Sequence, residues 1–172
     1  MTEYTLRRAT LADAEALSDI GAATFIETFS HLYPETDLKL FLPSAYGLDR
    51  TIIDLKDPTK ASWLVEENDI VVGYASAGPC DLPHEDVSGR SLELKRFYLL
   101  KRHQNGGIGH RLWGQVLDWM TAQSPIDLWI GVWSKNYGAQ RFYLREGFAK
   151  VGEYGFKVGS TIDHEYILRR VG

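Results

Sequence analysis

The chain has 172 residues, of which 44% are apolar and 24% charged; that is enough apolar material for one compact core, too much for intrinsic disorder, and too short a chain to give two halves a core each. Nineteen Lys and Arg stand against 23 Asp and Glu, a net charge of −4, which excludes a nucleic-acid partner, since that needs clustered and uncompensated cations, and is compatible with a small cationic one. Cys80 is the only cysteine, so an intrachain disulfide and a cysteine metal cluster are both excluded.

Met1 to Arg8 holds no apolar stretch of signal-peptide length, and no apolar run approaches membrane-spanning length. These features together predict one domain over residues 1–172, cytoplasmic, with no membrane partner. Tyr4 to Arg8 reads as a short strand, and Thr10-Leu11-Ala12-Asp13 as the N-cap of a helix. Ala14, Leu17, Ile20, Ala23 or Thr24, and Phe25 then give one apolar stripe on a helix that runs to about Phe29. Beyond Pro34, residues Glu35 to Phe41 and Leu48 to Leu55 read as two short helices, separated by the turn-prone Pro43-Ser44 and Tyr46-Gly47.

Ala61 to Glu66 and Ile70 to Ala77 flank Asn68-Asp69, which predicts an antiparallel hairpin. Gly78 to Gly89, rich in proline, glycine and acidic residues, reads as a loop, and Ser91 to Leu99 as the next strand. Ile108, Leu112, Trp113, Val116, Leu117 and Met120 mark an amphipathic helix up to Ala122, closed by Pro125. Leu128 to Trp133 is a continuous apolar run, as expected of a parallel strand covered on both faces. Ala139, Phe142, Tyr143 and Glu146 follow helical spacing, with Gly147 where a C-cap glycine belongs. Lys150 to Val158 and Ile162 to Arg169 close the chain as two strands.

Gln104-Asn105-Gly106-Gly107-Ile108-Gly109 joins a strand to a helix. Glycines there let backbone N–H groups converge, and the helix adds its unpaired amino-terminal donors and positive dipole end, a cradle suited to pyrophosphate. Two other phosphate motifs do not fit: a Walker loop would need Lys-Ser or Lys-Thr where His110-Arg111 stands, and the dinucleotide fingerprint G-x-G-x-x-G would need a small residue at Leu112.

The turn resembles the Q/R-x-x-G-x-G/A motif of the GNAT acetyltransferases, with Gln104, Gly107 and Gly109 at the defining positions. Asn136 to Phe148, N-Y-G-A-Q-R-F-Y-L-R-E-G-F, is similar to that family's N-x-x-A-x-x-F-Y-x-x-x-G-F pattern. The resemblance implies a mixed α/β fold: a mostly antiparallel sheet of about seven strands flanked by helices, with a splay between the two strands that hold acetyl-CoA. It implies acetyl transfer from acetyl-CoA to an amine, with no metal, and it places the early helices under the acceptor site. Cofactor contacts would come from Phe97, Tyr98 and Leu99, from Gln104 through His110, and from Asn136 and Tyr143, with the Leu99 N–H polarising the acetyl carbonyl.

Amine attack on a thioester needs a neutral nucleophile, oxyanion stabilisation, and a proton for the departing thiolate. Tyr143, at the family's F-Y position, suits the acid, since a phenol (~10) lies above a thiol (~8.5). Glu93, on the strand leading to the turn, resembles the glutamate some members use as base; a solvent-facing carboxylate is the plain alternative. His103 is expected to face solvent or phosphate. No histidine shows defensible metal-ligand spacing.

Leu128 to Asn136 and Thr24 to Phe29 resemble the bacterial subfamily that includes spermidine/spermine N-acetyltransferases, which implies a small amine, a polyamine among the candidates. Glu27, Glu35, Asp37, Asp81, Glu85 and Asp86 could then receive a polycation. The alternatives are a protein N-terminal or lysine acetyltransferase, and an acetyl-CoA-binding regulatory module. Exposed edge strands near the C-terminus would allow a homodimer.

Overall fold

The computed structural model describes residues 3–172. Strands β1 (Tyr4–Arg8), β2 (Ala61–Glu67), β3 (Ile70–Pro79), β4 (Ser91–Leu99), β5 (Asp127–Trp133), β6 (Ala149–Val158) and β7 (Thr161–Val171) form one sheet in the order β1-β2-β3-β4-β5-β7-β6. All neighbours run antiparallel except β4 and β5, so the mixed, mostly antiparallel seven-stranded sheet expected from the sequence is the one observed. The helices are α1 (Ala14–Phe29), α2 (Glu35–Tyr46), α3 (Leu48–Lys56), α4 (Ile108–Ala122) and α5 (Tyr137–Arg145). None of the helices in the described residues is long and apolar enough to cross a membrane.

Local chemistry accounts for the element ends. Asn68 and Asp69 both take positive φ, 51° and 64°, the backbone twist that a two-residue β2–β3 hairpin requires. Thr10 and Asp13 form a capping box ahead of α1, and Gly147 at φ 90° follows α5 as a left-handed C-cap. The α2 helix differs from expectation by continuing through Pro43 to Tyr46. Aromatic packing explains the extension: Phe41 and Tyr46 lie 4.9 Å and 5.7 Å, ring to ring, from Phe25 of α1, and burying Tyr46 with part of Phe41 offsets the hydrogen bond lost at proline.

Strand alternation sends side chains to two faces. On one face, Leu128, Ile130 and Val132 of β5 pack with Leu112, Trp113, Val116 and Met120 of α4 and with Tyr143 and Phe148. Leu112, Val116 and Met120 are fully buried, each contributing about 1.5–3 kcal/mol. On the other face, Phe25, Phe29, Tyr33 and Tyr46 pack against Trp133, Tyr98 and Phe156.

The sheet opens where function is expected. Strands β4 and β5 pair only from Ser91–Asp127 to Leu94–Ile130, and beyond that point Lys95 to Leu99 and Gly131 to Trp133 have no pairing with each other. The β3–β4 register steps from Ser76–Arg96 to Ala77–Leu94, which leaves Lys95 as an extra, bulged residue. A bulge breaks alternation, so Lys95 and Arg96 both line a cavity on the α1–α3 face, while Leu94 and Phe97 turn to the α4 core.

Candidate active site

The turn before α4 is built to hold an anion. Asn105 and Gly107 take left-handed φ of 64° and 84°, and alternating handedness turns successive amides inward. Among the described residues, none of the six backbone N–H groups from Asn105 to His110 is hydrogen bonded within the chain, and Gly107 supplies no side-chain cap. A Cβ at Gly106 or Gly107 would meet nothing within 4 Å, so the space in front of these donors is open to a ligand. Gln104 donates from Nε2 to the Leu99 carbonyl at 3.0 Å, tying the turn to the end of β4. Six free donors at a helix N-terminus fit a pyrophosphate such as that of coenzyme A.

From this turn the splay leads inward. The Leu100 N–H bonds to the Val72 carbonyl at 2.9 Å; alternation therefore turns the Leu99 N–H away from β3, toward the gap where β5 no longer pairs. Tyr143 of α5 is buried on the α4 side of the sheet, in the cluster with Leu128, Ile130 and Val132 of β5 and against Phe142 and Phe148. Its hydroxyl has no hydrogen-bond partner among the described residues, and burial raises its pKa well above the usual phenol value, so it stays protonated. Burial also raises the Tyr98 pKa well above the usual phenol value, with neighbouring groups, Tyr143 the least of them, adding to it. Asn136 is the N-cap of α5, accepting from the Ala139 N–H at 3.2 Å; its carbonyl oxygen is engaged, and its amide nitrogen has no partner among the described residues.

On the α1–α3 face the splay meets a cavity of about 370 Å³. Its walls are aromatic, including Phe29, Tyr33, Tyr98, Trp133, Tyr154 and Phe156, and it holds five carboxylates: Asp54, Asp81, Glu93, Asp163 and Glu165. Most have partners. Asp54 pairs with Lys60 at 2.8 Å and Arg50 at 3.3 Å, Asp81 with Lys95 at 2.7 Å, and Asp163 accepts from the Tyr33 hydroxyl. Glu93 accepts from the Asp81 N–H at 3.0 Å and lies 3.4 Å from Lys95; burial raises its pKa, with Lys95 opposing. Arg96 donates to the Ala45 carbonyl at 3.0 Å and sits 4.2 Å over the Tyr46 ring. Among the described residues Glu165 has neither hydrogen bond nor ion pair, and its Oε2 is buried. Burial, with Asp163 adding repulsion, pushes its carboxyl up to about 7.

Several sequence expectations change here. His103 is not a solvent- or phosphate-facing side chain: it is buried, with Nδ1 2.9 Å from the Tyr4 hydroxyl and Nε2 2.8 Å from Arg102 Nε. Glu27 accepts the Lys101 N–H, and Glu35 pairs with Lys39 at the surface. Asp37 is buried and accepts from the Ser160 N–H and hydroxyl, 2.8 Å each, and from Thr161; it fastens α2 to the β6–β7 turn. Of the six acidic residues considered for a polycation, Asp81 alone lines the cavity. Asp163 and Glu165 were missed because they alternate with His164 and Tyr166 in a strand that reads as half solvated. Their side of β7 is covered by residues distant in sequence, which no local pattern reports.

Comparison with known proteins agrees with this geometry. The model of the acetyltransferase (GNAT) family matches residues 22–148. An uncharacterized N-acetyltransferase in the pepI 3′ region of Lactobacillus delbrueckii subsp. lactis is 27% identical over 151 residues, 88% of this chain and 87% of that one. An uncharacterized N-acetyltransferase of Mycobacterium tuberculosis is 28% identical over 160 residues, 93% and 98% of the two chains. The PaiA N-acetyltransferase from Thermoplasma acidophilum, solved with coenzyme A, shares the fold with a TM-score of 0.76 at 14% identity, covering 99% of each chain. The ribosomal-protein-alanine N-acetyltransferase from Brucella melitensis shares it with a TM-score of 0.69 at 23% identity, over 98% and 99%. The matched segment runs from within α1 to the end of the α5 region and contains both the amide-lined turn and the splay, and the chain belongs to the GNAT family of acetyltransferases.

Proposed function

We propose that the chain transfers an acetyl group from acetyl-CoA to a primary amine, by direct attack in a ternary complex, and that the acceptor is a small amine such as a polyamine. One observation carries this reading: six unbonded amides open onto a sheet splay that leads to a confined, carboxylate-bearing cavity. A volume of about 370 Å³ suits a small molecule. Five carboxylates face four cations there, Arg50, Lys60, Lys95 and Arg96, and among the described residues Asp163 and Glu165 carry no cationic partner, which favours a positively charged acceptor. The likeness of Leu128 to Asn136 to spermidine/spermine acetyltransferases points the same way.

Acetyl-CoA would supply the thioester. The amides from Asn105 to His110, with the Gln104 side chain bracing the turn, would hold its pyrophosphate. The backbone of Phe97, Tyr98 and Leu99 would border the acyl group, the Leu99 N–H donating to the oxyanion. Tyr143 keeps a proton for the departing sulfur, and Asn136 offers its free amide N–H groups beside α5. Glu93 stands as a candidate base, although its bonds to Asp81 and Lys95 suit a proton received through water.

We read residues 1–172 as one catalytic domain, and the exposed β6 edge as a surface on which a homodimer could form. A protein-acceptor reading draws support from the Brucella neighbour, whose name specifies a ribosomal-protein alanine; it requires peptide to enter the same cavity. Thiol release from acetyl-CoA, measured across spermidine, spermine, monoamines and short peptides, tests the proposal. Turnover confined to small amines supports it, turnover confined to peptides transfers the function to protein acceptors, and cofactor binding without turnover identifies a binding module.

A further inference from the structure

We propose that Glu165 is the general base of this reaction: its carboxylate receives the acceptor's ammonium at the open end of the β4–β5 splay and takes its proton. The inference rests on the acetyl-transfer reading and assigns its base to Glu165 in place of Glu93. Three observations place Glu165 there. Its register partner on β5 is Trp133, the last residue of the strand that forms one lip of the splay. It lines the acceptor cavity. Alone among the five cavity carboxylates it has no hydrogen bond or ion pair among the described residues, and its Oε2 is buried without a donor. A buried oxygen without a donor is costly, and an ammonium group supplies up to three N–H donors.

The surroundings suit proton transfer. The titratable groups facing Glu165 are Asp163 on its own strand, Tyr154 on β6 and Tyr98 on β4, each acting on it or feeling its charge; β5 presents the uncharged Trp133. The cavity's cations are committed elsewhere, Lys95 to Asp81 and Glu93, Arg96 to Ala45 and the Tyr46 ring, and Arg50 and Lys60 to Asp54. No cation of the cavity therefore holds Glu165 ionised, and burial, with Asp163 adding repulsion, pushes its carboxyl up to about 7, in the range where a general base is effective near neutral pH.

In the step itself, a proton passes from R–NH3+ to the Glu165 carboxylate, giving R–NH2 and a neutral carboxyl that later releases the proton to solvent. The amine lone pair forms the C–N bond and the C–S bond breaks. Tyr143 gives its proton to the thiolate and is reprotonated by the proton the new amide nitrogen loses, leaving amide, thiol and one solvent proton.

The test compares the native chain with Glu165→Gln, Glu165→Asp and Glu93→Gln between pH 5 and 9.5, following kcat/KM for the amine, acetyl-CoA affinity by calorimetry, and the carboxyl signals of the ligand-free chain by carbon-13 NMR with labelled glutamate. The native chain should show a rising limb near pH 7 and one glutamate signal titrating there. Glu165→Gln should lower kcat/KM about 100-fold, abolish both limb and signal, and leave acetyl-CoA affinity unchanged, while Glu165→Asp should recover part of the rate. Persistence of the limb in Glu165→Gln, or its loss in Glu93→Gln instead, overturns the assignment with the acetyl-transfer reading intact. Absence of turnover by the native chain with every amine removes both.

Discussion

Replacing Glu165 with Gln should stabilise the folded chain relative to the native one as pH rises, an outcome independent of catalysis. The carboxyl moves from its ordinary 4.5 to about 7 on folding. Below pH 4.5 it is neutral in both the folded and the unfolded chain and costs nothing. Between 4.5 and about 7 the unfolded chain releases the proton while the folded chain keeps it, so native stability falls, and above 7 the penalty is complete. That span, at ~1.4 kcal/mol per pH unit, corresponds to about 3–4 kcal/mol, reduced to about 2–3 kcal/mol by the part of the side chain that meets solvent. Asp163, the nearest carboxylate, is present in both chains. Urea unfolding at pH 4.5, 5.5, 6.5 and 8 should show the stability difference between variant and native chain growing by this amount, chiefly between pH 4.5 and 7. Parallel stability curves would refute the burial argument for Glu165.

Tyr143→Phe should lower kcat about 100-fold, the scale of a general acid, with acetyl-CoA affinity little changed by calorimetry; undiminished turnover would remove Tyr143 as the acid. Gly107→Leu should fold, because a Cβ there meets nothing within 4 Å, at a cost of roughly 1–2 kcal/mol for the left-handed φ, yet lose acetyl-CoA binding more than tenfold as the side chain fills the cradle. Gly131→Val should raise the amine KM and cost about 1–3 kcal/mol, since its Cβ would lie 2.5 Å from the Tyr154 hydroxyl and 3.1 Å from Leu82; kinetics and denaturant unfolding check both. Asp37→Ala should destabilise by about 1–3 kcal/mol in urea, because it frees the Ser160 and Thr161 donors.

Much of the fold was legible because its signals are local. The apolar spacing of α4, the Asn68-Asp69 turn and the continuous run of β5 each report their own backbone. The anion turn was legible for the same reason: glycine spacing, helix start and free amides all lie within Gln104 to His110. The acceptor cavity was not. Glu165 and Asp163 face it only because β7 pairs with β5 and helices α1 and α2 cover that side, relations spanning more than a hundred residues for Tyr33 and Asp163. Lys95 and Arg96 enter it through a bulge that no sequence pattern in β4 announces. Pro43 misled in the other direction, its usual helix-ending effect overridden by Phe41 and Tyr46 packing on Phe25. His103 carries no local mark of burial; its pairing with Tyr4 joins residues 99 apart.

Acetyl transfer is tested by thiol release from acetyl-CoA in the presence of spermidine, a monoamine and a short peptide, with Tyr143→Phe in parallel. Small amines should be turned over by the native chain, and that turnover should collapse in Tyr143→Phe while cofactor binding persists. Binding of acetyl-CoA with no thiol released from any acceptor would contradict acetyl transfer.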